Sequence, residues 1–399
     1  MNLLVAAALT LVDVERAAIA NAPTVIAARE RVREQRAVAA QTGASRLPHA
    51  FASYAQAPQG GTIGTITQRL TTVGGQFALG DAVGTSAALA QARSEVQLAQ
   101  AQEAGAREAE RMRAVGLFFD AIQTTDIERL RERIVAAALA DRRAARLRYA
   151  AGDAPRLDIV RADVALASAQ ADLARARADR DNALGTLSLE IGAQGPALNV
   201  PSLASVGIAE PAAIPTLAAA VGIGLRLRPE VLAARAAVAA EESAVSVAER
   251  GRLPGFTAQL GYTTGVDGGL NVKGPSANLL LDVPLSGIGA DRVAAEQARL
   301  AQARARFAGA RRLVEGEIEA AIRSYAADRE ALVAATRARD EAAAEVTASA
   351  IGYRNGASSS LDLQNARSTY AQAAIGAATA AATLDRAVAM LHLLMGENR

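Results

Sequence analysis

The sequence predicts a mainly α-helical protein with a small β part, built as two tandem repeats of long coiled-coil helices plus a β-hairpin. Three observations predict it. First, the chain repeats itself about 206 residues on. Asn21-Ala-Pro-Thr-Val-Ile-Ala-Ala-Arg29 returns as Leu227-Arg-Pro-Glu-Val-Leu-Ala-Ala-Arg235, Arg46-Leu-Pro48 as Arg252-Leu-Pro254, and Ala90-Gln-Ala-Arg93 as Glu296-Gln-Ala-Arg299. Tyr149-Ala-Ala-Gly152 returns as Tyr353-Arg-Asn-Gly356, with the offset now 204. A conserved order at this period marks a duplicated half-protein, not a solenoid unit. Second, two proline-free stretches, about 84 to 148 and 290 to 352, read as single helices. At about 1.5 Å per residue each spans roughly 100 Å, too long for a globular core. Third, two segments alternate apolar and polar residues with period two, the signature of a strand with unlike faces.

Taken in order, residues from about 11 to 42 read as helix, with a break at Pro23 and a stop at Gly43. Strand-like segments follow at about 47–57 and 65–79, separated by the loop signal Pro58-Gln-Gly-Gly-Thr-Ile-Gly64. The second copy shows the strands more cleanly, at about 253–264 and 275–285. Phe256, Ala258, Leu260 and Tyr262 alternate with Thr257, Gln259, Gly261 and Thr263; Ala277, Leu279, Leu281 and Val283 alternate with Ser276, Asn278 and Asp282. Gly265-Val-Asp-Gly-Gly269 supplies the turn. Strands of about 10 residues suit a tilted membrane-spanning strand and equally a hairpin on a soluble domain.

Each long helix ends at Tyr-x-x-Gly, and a return helix follows. Gly152 and Gly356 fit left-handed stop positions. Asp153, Asp158 and Asp362 follow these turns, where a carboxylate caps a helix N-terminus. Leu363, Ala366, Tyr370, Ala373, Ala377, Ala380, Leu384, Ala387, Leu391 and Leu394 step by three and four, as do Leu157, Val160, Val164, Ala167, Ala171, Ala174 and Ala178. Such spacing predicts coiled-coil seams, with small residues that allow close approach. The organisation is therefore a first repeat over 9–192 with its tip near 149–157, a joining segment over 193–215, and a second repeat over 216–397 with its tip near 353–361.

Composition narrows the function. The 399 residues hold no Cys, no Trp, two His and a single Lys, Lys273. A disulfide framework and a Cys-type zinc site are excluded. A net charge of +2, almost all of its positive part from Arg, argues against a nucleic-acid footprint. His49 and His392 have no ligand-spaced partners, Gly287-Ile-Gly289 lacks the rest of a dinucleotide fingerprint, and no catalytic constellation appears. No cofactor, metal or enzymatic activity is expected. No run of about 20 apolar residues predicts a membrane-spanning helix. Leu3 to Leu9 reads either as the tail of a signal peptide or as the first turns of the first helix.

In sequence and order these residues resemble the TolC-like outer-membrane efflux protein family. The resemblance runs from Leu9-Thr-Leu-Val-Asp-Val-Glu15 to Gly396. It rests on Leu9 to Pro23 as an opening helix, on Val283-Pro-Leu-Ser-Gly287 as a strand ending, and on Leu147 to Ala162 and Tyr353 to Ala366 as helical tips. It implies a homotrimer in the outer membrane of a Gram-negative-type bacterium. Three chains would each give four strands to one twelve-stranded barrel, and the long helices would form an α-barrel tunnel through the periplasm. Thr257, Gln259, Thr263, Asn278 and Asp282 would line the lumen, and Phe256, Leu260, Tyr262, Leu279 and Leu281 would face outer-membrane lipid. Tyr149, Gly152, Asp153, Tyr353 and Gly356 would dock a periplasmic adaptor serving an inner-membrane transporter. Asp158, Asp362 and Asn365 would stand at the tip constriction. The implied function is a passive exit duct of a tripartite efflux or type I secretion system. The sequence departs from the family at Gln76-Phe-Ala-Leu-Gly80, which lacks the expected Pro, and at Asn365 and Ser358, where an acidic residue and an Arg occur in some members. A soluble periplasmic coiled-coil adaptor or scaffold is the competing reading, but two hairpins and only four strand candidates favour the duct.

Overall fold

The computed structural model describes residues 9–44, 47–61, 64–78, 81–193, 198–206, 216–267, 269–283 and 288–395. Helix α1 (Leu11–Asn21) starts where the Thr10 hydroxyl accepts the Asp13 N–H at 3.2 Å. Helix α2 (Pro23–Ala44) begins on proline, whose missing N–H costs nothing at a first helical position. Strands β1 (His49–Gly61) and β2 (Gly64–Ala78) follow, then the long helix α3 (Asp81–Ala151) and the return helix α4 (Arg156–Glu190). After a single turn, α5 (Leu203–Val206), the order recurs. Helices α6 (Leu217–Leu227) and α7 (Pro229–Arg250), strands β3 (Gly255–Asp267) and β4 (Leu270–Asp282), and helices α8 (Ile288–Arg354) and α9 (Ser360–Leu394) complete the chain. The starts of α6, α7, β3 and β4 lie 206 residues beyond those of α1, α2, β1 and β2, and α9 starts 204 beyond α4. The duplication read in the sequence is thus a duplication of elements.

The compact units are not the two repeats. One unit holds residues up to 26, 106–228 and 313 onward; the other holds 27–105 and 229–312. Each draws on both copies.

The first unit carries the large apolar residues. Phe118, Phe119, Val115 and Ile122 of α3 are buried with Val14 and Ala18 of α1, Leu187 at the end of α4, and Val200. The Phe118 and Phe119 rings meet edge-on, 5.6 Å apart at 77°. A second cluster joins Tyr325 and Leu332 of α8 to Leu384 and Val388 of α9. Elsewhere in this unit alanine packs the helices with scattered large residues such as Val314, Ile318 and Leu391, and ion pairs link one helix to another. Arg131 pairs with Asp172 at 3.0 Å, Arg177 with Glu132 at 3.0 Å, and Arg367 with Asp141 at 2.6 Å. Such half-exposed pairs fix helix register more than they add stability, at about 0–1 kcal/mol each.

The second unit contains the sheet, antiparallel in the order β1-β2-β3-β4. Its helices approach closely through small side chains, as where the Ser94 and Ser243 hydroxyls meet at 3.1 Å.

Several expectations need correction. The strands are longer than the alternation indicated: β1 runs on through Pro58 to Gly61, and β3 takes in Gly265 to Asp267. Pro58 and Pro275 lie in β1 and β4, the two strands that pair on one side only within the chain. The joining segment is not wholly irregular, since α5 lies in it. The stripe that α4 buries within the chain differs from the expected seam. Leu157, Val160 and Val164 are half or more exposed, and Asp158, Ala162, Leu166, Ala169, Leu173 and Ala176 are buried instead. Both stripes have three-four spacing, so an alanine-rich helix does not announce which one its neighbours cover. On α9 the expected Leu363, Ala366, Ala377, Leu384 and Leu391 are buried. By length and composition α9 also reaches the apolarity of a membrane span, on alanine more than on large residues. Val283 is followed by Pro284 to Gly287, and this expected strand ending lies outside the described residues, as do Leu3 to Ala8, Leu79, Gly80 and Gly396.

Candidate functional site: the sheet faces and the helical tips

The sheet register decides which residues share a face. Thr72 pairs with Thr263, Gln76 with Gln259, and Gln259 with Asn278. Directly opposed residues project from the same side of a sheet. One face therefore carries Thr257, Gln259, Thr263, Asn278 and Ser276, with Thr72 and Gln76 added by the first copy. The Thr72 and Thr263 hydroxyls lie 2.9 Å apart, and the Gln259 amide N–H donates to the Gln76 carbonyl oxygen at 3.4 Å. Asp282 holds the same register parity, opposite Gly255. Leu280, Val272 and Leu270 of β4, Leu70 of β2 and Phe51 of β1 interrupt the polarity. The other face carries Phe256, Leu260, Tyr262, Leu279 and Leu281, 40 to 67 % exposed, joined by Val73 and Tyr54.

Glycines on the polar face sit where the backbones of β2 and β3 come close. A Cβ at Gly74 would lie 2.2 Å from the Leu260 carbonyl oxygen, and one at Gly265 only 2.0 Å from that of Arg69. Glycine in a strand marks a bend or a close backbone approach. Here β2 and β3 close on each other on the polar side. Thr257, Gln259 and Thr263 are half-buried while Leu260 and Tyr262 stand exposed. The polar residues read in β3 and β4 thus share one face, and Thr72, Gln76 and Gly74 join them from the first copy, which alternates too poorly to have shown it.

The helical tips belong to the other unit. At the end of α3 the Gly152 N–H donates to the Tyr149 carbonyl at 3.0 Å and the Asp153 N–H to that of Arg148 at 2.8 Å. At the end of α8 the Gly356 N–H donates to the Tyr353 carbonyl at 3.4 Å and Ala357 to Gly352 at 2.8 Å. Both glycines have left-handed φ, +84° and +75°. This paired closure uses up orphan carbonyls, and only glycine takes that φ without strain.

The two tips are joined by side chains. The Arg148 guanidinium stacks 4.3 Å above the Tyr353 ring and donates to the Tyr353 carbonyl at 2.9 Å. The Tyr353 hydroxyl donates to Asp158 Oδ2 at 3.1 Å, the Ser360 hydroxyl donates to Asp158 Oδ1, and Arg161 donates to Ser360 Oγ at 3.1 Å. Asp158 is buried, with Arg161 3.8 Å from its carboxylate. Burial first, and then the Asp158 charge, push the Tyr353 hydroxyl above its ordinary range, so it stays a neutral donor.

Capping is divided unequally. Asp362 closes a capping box on α9: the Ser359 N–H and hydroxyl both donate to Asp362 Oδ2, at 2.9 and 2.8 Å. The Ser359 hydroxyl first, then its N–H, hold Asp362 below the usual carboxylate range. The box is therefore fully formed above that range and lost as pH falls through the lowered value. Asp153 caps nothing, because α4 starts after Pro155 without a side-chain cap. Tyr149 is 47 % exposed, and Asn365 is exposed on α9. Arg148, Arg161 and Ser360 were not singled out in the sequence; their partners lie about 200 residues away. His49 opens β1 and His392 ends α9, and among the described residues no group of three metal-ligating side chains occurs.

Comparison with known proteins gives one reading. Residues 221–397 match the family described as outer membrane efflux protein. No curated protein matches the chain in sequence. Among solved structures, the outer-membrane channel OprN superposes with a TM-score of 0.84 at 21% identity, over 97% of this chain and 90% of its own. The CmeC outer membrane channel of Campylobacter jejuni gives 0.79 at 17%, over 97% and 85%. The outer membrane protein VceC of Vibrio cholerae gives 0.78 at 19%, over 96% and 95%. These likenesses establish the fold through both repeats, and the family match lies within the second. Over residues 221–397 the chain is similar to the outer membrane efflux protein family, and throughout it has the fold of the outer-membrane channels.

Proposed function

We infer that the chain is a passive exit duct that works as a homotrimer. The observation that carries this is the sheet: four strands whose outer edges have no partner strand among the described residues, one exposed apolar face and one polar face where β2 and β3 approach closely. In lipid every backbone N–H and C=O needs a partner, so an open sheet is not viable there. Pairing β4 of one chain with β1 of the next closes the edges. Three copies give twelve strands, enough to surround water where four alone cannot close. The apolar set then meets lipid, and Thr257, Gln259, Thr263, Asn278 and Asp282 line the pore.

Nothing in this duct performs a reaction, and the energy for export comes from an inner-membrane transporter. The glycine-closed turns at Gly152 and Gly356, with Tyr149, Asp153 and Tyr353, dock the periplasmic adaptor that links the two. Asp158, Asp362 and Asn365 stand at the constriction. Support for this part is the family match and the paired tip geometry. The fold matched is that of outer-membrane channels, which favours the duct over a soluble scaffold.

Expression with a supplied signal peptide tests the location. The chain is expected in the outer-membrane fraction, resistant to extraction by urea and released by detergent. Recovery in the soluble periplasmic fraction would instead return the scaffold reading.

A further inference from the structure

The bonds that join the two tips within one chain occupy only half of the tip residues of their kind. The two tips correspond residue by residue at an offset of 204: Tyr149 to Tyr353, Arg156 to Ser360, Asp158 to Asp362. The correspondence is also one of position. Each tyrosine supplies the carbonyl that accepts the glycine N–H, Arg156 and Ser360 are the first residues of their helices, and the two aspartates are the third. Within the chain, the third-position aspartate of the first repeat receives the tyrosine and first-position side chains of the second. The complementary set remains: Asp362 of the second repeat, with Tyr149 and Arg156 of the first. All three are exposed, and among the described residues neither Tyr149 nor Arg156 has a side-chain partner in the chain. Ser359 occupies only Oδ2 of Asp362.

We propose that Asp362 binds Tyr149 and Arg156 of a second copy of this chain, making the contact between chains a repeat of the contact within one. The proposal rests on the ring of copies argued above. A ring built head to tail sets the second repeat of one chain against the first repeat of the next. The open edges give the same order, with β4 of one chain against β1 of the next. The residues fit. Tyr149 donates its hydroxyl to a carboxylate as Tyr353 does, and the serine of the internal contact becomes an arginine. Both bonds have a carboxylate acceptor, and the arginine adds an opposite charge and a planar fork of N–H donors that the serine lacks. Gly352 stands where Arg148 stands in the first copy, so the stacked cation has no counterpart at the second contact. The contact between chains therefore depends on Asp362 more than the internal one depends on Asp158. In this arrangement Asp362 spends its charge on a neighbour, not on an open acidic ring.

The chain has no cysteine, which makes cross-linking a clean test. Full-length Tyr149→Cys/Asp362→Cys is extracted in detergent and treated with a short bis-maleimide. A ladder of covalent multimers on a denaturing gel is expected, while Tyr353→Cys/Asp158→Cys should stay at the monomer position because that pair lies within one chain. Arg156→Cys/Asp362→Cys gives the same readout if the tyrosine replacement weakens assembly. A wild-type complex of intact mass whose two Asp362 pairs both stay monomeric overturns this contact and leaves the ring standing. A wild-type chain that forms no ring overturns the reading beneath it.

Discussion

Gly265→Val is expected to abolish the sheet and, with it, insertion into the outer membrane. Valine favours strands, so propensity alone predicts a gain. Geometry predicts the reverse. The new Cβ would sit 2.0 Å from the Arg69 carbonyl oxygen and 2.9 Å from the Leu70 Cα, and both are backbone atoms that no rotamer change moves. Relief requires β2 and β3 to separate along the register that pairs Gly265 with Leu70. Overpacking a core costs about 1–3 kcal/mol where side chains can yield; with backbone on the other side, the expected cost is at or above the top of that range. Gly274→Val is the control. It lies on the same face, opposite Thr263 in β4, and its Cβ would meet nothing within 4 Å. Membrane fractionation of the two variants should separate them: Gly274→Val in the outer membrane and Gly265→Val lost to aggregation or proteolysis. Equal recovery of both would mean that β2 and β3 do not approach as described.

Phe118→Ala is the second large effect, and it falls on the other unit. Phe118 is fully buried and stacks edge-on against Phe119. Its neighbours come from α1, α4 and the segment around Val200. These are small or branched, so they cannot swing in to fill the space. Removing a buried phenylalanine ring costs about 3–5 kcal/mol, part lost transfer energy and part cavity. In a chain with only six Phe and much alanine, few other positions concentrate so much apolar area. The denaturant midpoint of the detergent-solubilised protein should fall accordingly, with early protease cleavage near α1 and the joining segment. Val333→Ala on α8, exposed in the chain, should change stability by less than about 0.5 kcal/mol. A Phe118→Ala midpoint as mild as that control's would sink the assignment of this cluster as the core.

These two sites also mark how far the sequence could be read. The duplicated order of elements was legible because it rests on local signals: Pro23 and Pro229 at helix starts, Gly152 and Gly356 at helix ends, and alternation in β3. Strand ends were misjudged because Pro58 and Gly265 are turn signals locally, and only the sheet places them within strands, the second at a close approach. The stripe that α4 buries within the chain was not the one read because alanine fills two faces of that helix with the same spacing. The choice between them is made by Leu166 and Leu173 against their neighbours, a tertiary fact. The tip network was invisible for a different reason. Tyr353 and Asp158 are 195 residues apart, and nothing near either names the other. Aligning the two tips was the one available clue, since it sets Asp158 on Asp362 and Tyr149 on Tyr353.

The central claim is that copies of this chain complete one another's sheet. Its most direct measurement is the mass of the detergent-extracted complex by light scattering, corrected for bound detergent. A complex of three chains that persists in mild denaturant is the result predicted from a four-stranded sheet with two open edges. A detergent-bound or detergent-free single chain, folded and stable, would contradict it, because β1 and β4 would then have remained unpaired.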